Sequence, residues 1–184
     1  MSTTFPGTTI EVLKLQKGSS KTLFDGIFAA GGITLSQVSV MTGLEPYVIQ
    51  NWVKRGFVSS PVKRLYSCDQ FARIVIINML RESLQLEHIC GLIKEIGGEL
   101  DDISDDLIGD SELYHRYVDM LADESLVFID RESVLKAAEN ATEGFASELP
   151  DSSKRLTRIL QVMLYAHAAA SFRKRAEDIF STLN

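Results

Sequence analysis

The sequence predicts an all-α protein with one small β-wing, and three observations carry that prediction. Apolar residues recur at helical spacing through most of the 184-residue chain. Between Ile33 and Gly56, two short amphipathic patterns flank Gly43 and Pro46, the punctuation of a helix-turn-helix. After Ser67, strand-like alternation is confined to Leu126-Val127-Phe128-Ile129.

Residues 1–18 show no clear period and read as an extended or frayed arm. Ser19 to Ala30 forms a short helix stopped by Gly31-Gly32, with Leu23, Phe24, Ile27 and Phe28 apolar. Thr34 and Gln37 then form a capping box, in which the hydroxyl accepts from a first-turn amide and the Gln side chain returns to the Thr amide. Leu35, Val38 and Met41 share one face of that helix, and Gly43 allows the left-handed turn that ends it. Pro46 suits the first turn of the next helix, where a missing N–H costs nothing.

In this second helix Val48, Ile49, Trp52 and Val53 must pack inward, which fixes the opposite face by geometry. That face carries Tyr47, Gln50, Asn51 and Lys54, at i, i+3, i+4 and i+7. Gln and Asn can pair bidentately with adenine, Lys reaches guanine or phosphate, and Tyr offers a hydroxyl to phosphate. An ordinary solvated helix face would look the same, so the residues after Gly56 decide between the two. Gly56-Phe57-Val58 ends the helix, Pro61 to Tyr66 carries Lys63 and Arg64, and Ser67 to Gln70 is a second capping box. One helix runs from Phe71 to about Ser83 and another from Leu86 to Ile96, stopped by Gly97-Gly98. Helix, turn, helix, basic ribbon, helix, helix is the order of a winged-helix module.

On these residues the chain resembles the DNA-binding domain of MerR-type transcriptional regulators. The likeness rests on Gly43 and Gly56 bracketing the second helix, Pro61 opening the wing, Arg64-Leu65-Tyr66-Ser67 entering the next helix, and Leu86-Glu87-His88-Ile89. The strings Gly43 to Gly56, Ala72 to Arg81, and Asp101-Asp102 to Asp110-Ser111-Glu112-Leu113-Tyr114 resemble an uncharacterised bacterial family, domain of unknown function 1836. That resemblance implies a MerR-like fold and no activity. Two departures stand out: Asn51-Trp52-Val53-Lys54 replaces the Tyr-Tyr-Glu-Arg-like run of MerR regulators, and the wing is short with no turn glycine.

The net charge of −6 divides unevenly: residues 33–81 carry +4, residues 82–151 carry −15, residues 1–32 carry +1 and residues 152–184 carry +4. A positive module beside an acidic one fits a DNA reader joined to a regulatory domain, although acidic helices are also ordinary soluble surface. The expected organisation is an N-terminal arm and short helix at 1–32, a MerR-like winged helix-turn-helix at 33–98, and an acidic helical regulatory or dimerisation domain at 99–184. In the last, helical patterns lie at Ser111–Asp123 and Arg131–Asn140, then from Leu149-Pro150-Asp151-Ser152 through Phe180. The apolar surface of this last helix is too broad for a two-stranded seam alone; it reads as a bundle core, part of which closes a homodimer. Arg173-Lys174-Arg175 complements the dipole at its end.

Other chemistries fit poorly. Gly18-Ser19-Ser20-Lys21-Thr22 imitates a phosphate loop but has Ser20 and Leu15 where glycines are required. Asp101 to Glu112 has the length of a calcium loop, with Ile103 at a ligand position and Asp106 at the obligatory glycine. Glu112 and His115 have di-iron spacing in a single copy, where two are needed. Cys68 and Cys90 lack CxxC spacing and read as reduced thiols, and no nucleophile stands in a catalytic motif. No enzyme, metal or cofactor is expected. No membrane span and no leader-like start is read, which places the expected protein in the cytoplasm.

The expectation is a sequence-specific transcriptional regulator binding double-stranded DNA as a homodimer, answering an unidentified small-molecule or protein effector. Tyr47, Gln50, Asn51 and Lys54 would read bases, and Arg55, Lys63, Arg64 and Arg73 would hold phosphate. The alternatives are a protein-interaction adaptor that keeps the winged-helix fold without DNA binding, and a ligand-sensing helical domain.

Overall fold

The computed structural model describes residues 3–98 and 106–183. Asp101 and Asp102, part of the family resemblance, and the start of the candidate calcium loop lie outside the described residues. Among those described, helix dominates and two antiparallel two-stranded sheets accompany it.

The chain opens with β1 (Thr3–Thr4) paired to β2 (Glu11–Val12), succeeded by α1 (Ser19–Ile27). Next come β3 (Ile33–Thr34), α2 (Leu35–Thr42) and α3 (Pro46–Lys54). Strand β4 (Leu65–Tyr66) returns to pair with β3, Ile33 opposite Tyr66, so the segment after α3 is stitched to the entrance of α2. Helices α4 (Cys68–Leu80), α5 (Leu86–Gly97), α6 (Asp110–Leu121), α7 (Arg131–Thr142) and α8 (Ser152–Ser181) complete the chain. None of the described helices is long and apolar enough to cross a membrane.

Helix α4 is the axis of the molecule. Both capping boxes form: Thr34 accepts from the Gln37 amide while Gln37 accepts from the Thr34 amide, and Ser67 and Gln70 repeat this at the start of α4. From Phe71 to Ile77 every α4 residue is buried, so this helix is enclosed on all sides. It packs against α2, α6 and α8, and one continuous hydrophobic core joins residues from Phe5 to Ala166.

Three expectations meet the structure here. The frayed arm is a hairpin instead: Phe5 is buried, the Pro6 carbonyl accepts from Tyr114 Oη at 2.8 Å, and the Gly7 carbonyl accepts from Asn78. A Cβ at Gly7, where φ is +73°, would run into the Val75 carbonyl. Strands this short leave no periodic trace; long-range contacts hold them.

Packing also continues across the expected boundary at residue 98. Asp69 of α4 accepts from both the amide and the hydroxyl of Ser111, and Arg73 binds the Asp110 carboxylate at 2.7 Å. Residues 126–129 form turns rather than a strand: the Leu126 amide binds the Asp123 carbonyl and the Asp130 amide binds that of Val127.

Candidate nucleic-acid interface

The α2–turn–α3 unit has the geometry its sequence dictates. Gly43 caps α2 at φ +71°, Ser39 Oγ donates to the Leu44 carbonyl at 2.5 Å, and Pro46 begins α3. Ile49 and Trp52 are buried and Val48 and Val53 half-buried, which leaves Tyr47, Gln50, Asn51 and Lys54 exposed on the outer face. Tyr47 is 69% exposed, unusual for so large a ring and available to a partner. Val40 of α2, 74% exposed, adds an apolar contact that the sequence does not mark out, because one exposed valine breaks no helical period.

The segment expected to form the wing is compact. Val62 and Leu65 exchange backbone hydrogen bonds at 2.9 and 3.1 Å, closing a hairpin whose two-residue tip is Lys63-Arg64. Both tip residues have positive φ, 50° and 66°, the backbone of a type I′ turn that ordinarily calls for Asn-Gly. Each left-handed non-glycine costs about 1–2 kcal/mol. The missing turn glycine therefore yields a tight tip of two strained, exposed cations rather than an open loop. A concavity of about 370 Å³ between α3 and this wing is lined by Gln50 and Val53 on one side and Pro61, Arg64 and Tyr66 on the other. Base-facing and phosphate-facing candidates thus meet at one place.

Arg55 is exposed beside them, its guanidinium 4.7 Å from the centre of the Phe57 ring. Arg73 is not in the group. It is 9% exposed and its Nε donates to Asp110, so it is removed from the phosphate set expected from sequence. A basic residue on a wholly buried helix needs a buried anion, and that anion lies 37 residues downstream, beyond the reach of local pattern. Arg81, which the sequence reading did not place among the phosphate contacts, is exposed at the end of α4 and lies 5.9 Å from the Trp52 ring centre, behind α3.

Burial lifts the Asp110 carboxyl to about 6 despite Arg73. Burial also lowers His167, whose Nδ1 lies 2.8 Å from Tyr117 Oη and whose ring stacks on Phe128, and lowers His115, whose Nδ1 faces Ser20 Oγ. Glu112 is held by Arg116, so the di-iron spacing of Glu112 and His115 resolves into two separate contacts.

The α2–turn–α3 unit, the β3–β4 pair, α4, α5 and most of α6 lie within a family match. Residues 33–117 match DUF1836, a domain of unknown function. The matched segment begins at β3 and ends within α6, whereas α8, which also packs on α4, lies outside it. The chain is also similar to "Uncharacterized protein YkrK" of Bacillus subtilis (strain 168), 27% identical over 162 residues, which cover 80% of this chain and 70% of that protein. No solved structure matches the chain.

Proposed function

We propose that this DUF1836-containing protein is a sequence-specific DNA-binding regulator with a MerR-like winged helix-turn-helix. The observation that carries the reading is the convergence of α3 and the wing. Four hydrogen-bonding side chains project from an outer helix face, two cations stand at the tip of a strained hairpin, and Gln50 of the first set and Arg64 of the second line one concavity. In this arrangement α3 enters the major groove and Gln50 and Asn51 read base edges. Tyr47 and Lys54 join them on the same face, and Lys63, Arg64 and Arg55 neutralise phosphates. Backbone strain concentrated on charged residues is more readily understood as serving a contact than as serving stability.

The test is selection of full-length protein against random-sequence duplexes at two salt concentrations. The expected result is an enriched motif with affinity that falls steeply with salt. Asn51→Ala should then lose about 1–3 kcal/mol of discrimination at the base it reads, with non-specific affinity nearly unchanged. A protein that enriches no motif at low salt is not a DNA reader. In that outcome the exposed Val40 and Tyr47 favour the adaptor reading, with this face receiving a protein.

A further inference from the structure

The concavity between α3 and the hairpin tipped by Lys63-Arg64 has a polar rim and apolar walls. Gln50 and Arg64 are exposed at its edge, Leu35, Val53 and Pro61 are half-buried in its sides, and Tyr66 is buried. Most of the lining is carbon. The shape is fixed from three directions: the β3–β4 pairing sets Leu35 beside Tyr66, buried Ile49 and Trp52 orient Val53, and Gln70 Nε2 donates to the Ser59 and Ser60 carbonyls at 3.1 and 3.0 Å on the approach to Pro61. The cup therefore exists before any partner arrives.

Its occupant has to be apolar and has to lie beside a helix whose outer face carries base-reading groups. A phosphate does not suit the walls, because it needs several donors and Arg64 supplies the charged N–H groups only at the edge. On the major-groove edges of B-DNA the bases present N7, O6 and O4 acceptors and N4 and N6 amines, all polar; the 5-methyl of thymine is the carbon group among them. At about 370 Å³ the cup also has room for the sugar that leads from that base to a phosphate held by Arg64.

Building on the DNA reading, we infer that this cup seats the 5-methyl group of a thymine. Thymine shares its methyl with 5-methylcytosine, and Gln50 decides between them. A Gln amide pairs bidentately with N6 and N7 of adenine, the partner of thymine, whereas guanine, the partner of cytosine, calls for Arg or Lys. Leu35, Val53 and Pro61 are then specificity-determining residues, although none of them offers a hydrogen bond from its side chain.

Deoxyuridine keeps every hydrogen-bonding group of thymine and lacks only the methyl. In duplexes carrying the selected motif, replacing each thymine in turn by deoxyuridine should weaken binding of the full-length chain about four-fold at one position per bound chain and hardly at all elsewhere. Leu35→Ala combined with Val53→Ala, which strips two walls, should erase the preference for thymine over deoxyuridine and leave affinity for the deoxyuridine duplex nearly unchanged. 5-Methylcytosine paired with guanine at that position should not restore binding, because Gln50 then lacks its adenine. Equal affinity for thymine and deoxyuridine at every position overturns the methyl seat while the DNA reading survives; that comparison uses the unaltered chain and holds whether or not the double variant folds. A preference that persists in a well-folded double variant puts the methyl elsewhere and overturns the seat as well. Full restoration by 5-methylcytosine overturns the choice of thymine. Failure to enrich any motif removes the DNA reading and the methyl seat together.

Discussion

Lys63 and Arg64 show how a single residue's conformation separates stability from function. Glycine is indifferent to the positive φ that both adopt, and its extra freedom in the unfolded chain offsets only part of the strain relieved. Lys63→Gly should therefore raise unfolding free energy by about 0.5–1 kcal/mol in urea titration. The same substitution should reduce the slope of log affinity against log salt by about one phosphate contact. Weaker folding after Lys63→Gly would mean that the tip is not strained.

The buried Arg73–Asp110 pair behaves in the opposite way. Removing one partner strands a charge in the core, so Asp110→Ala should cost about 3–5 kcal/mol. The pair is still not a strong source of net stability, because burial of the carboxylate outweighs the pull of Arg73 and lifts Asp110 to about 6. A raised carboxyl binds its proton more tightly folded than unfolded, so its contribution is present below the unfolded value near 3.8 and is lost as pH rises through 6. The difference in stability between wild type and Asp110→Asn should change across that window, with wild type losing ground as pH rises. Parallel pH profiles for the two proteins would contradict this assignment.

At the scale of elements, local chemistry and remote packing divide the work. The boxes at Thr34 and Ser67 are legible in the sequence because a cap needs only residues three apart. Thr34→Ala should cost about 1 kcal/mol by thermal or urea unfolding, and Ser36→Ala, exposed and outside the box, should cost far less. The orientation of α3 is equally legible, since Ile49 and Trp52 at helical spacing dictate where Gln50 and Asn51 point. The hairpin at 3–12 is not, because two-residue strands have no period and depend on Asn78, Tyr114 and the approach of Gly7 to α4. In α8 the helix is legible from its period, but only burial decides which part faces the body: Leu156, Ile159, Leu160, Met163 and Leu164 are buried, whereas every residue from Ser171 to Leu183 is exposed.

The whole molecule hangs on α4. Its burial requires α6, which brings Asp110 to Arg73, Ser111 to Asp69 and Tyr114 to the N-terminal hairpin. A chain ending near Gly98 would uncover one side of α4 and leave Arg73 without its anion. Such a truncation should lose cooperative unfolding and bind the dye ANS, whereas one ending after Leu121 should recover much of the order around α4. A well-folded chain ending at Gly98 would support the boundary expected from sequence. The DUF1836 match through residue 117 agrees with a unit that includes most of α6.

By itself the sequence determined the helical class, the two capping boxes, the α2–turn–α3 unit and which four side chains of α3 face outward. Each of these depends on residues within one or two helical turns, where backbone geometry and hydrophobic period leave a local signature. Only tertiary structure decided that Arg73 faces inward, that the N-terminal hairpin is pinned to α4, that the wing tip is left-handed at two cations, and that the end of α8 stands in water. Those outcomes turn on groups far apart in sequence that meet only when the core closes, and the cost of burying a charge or an amide without a partner is set there rather than in any local window.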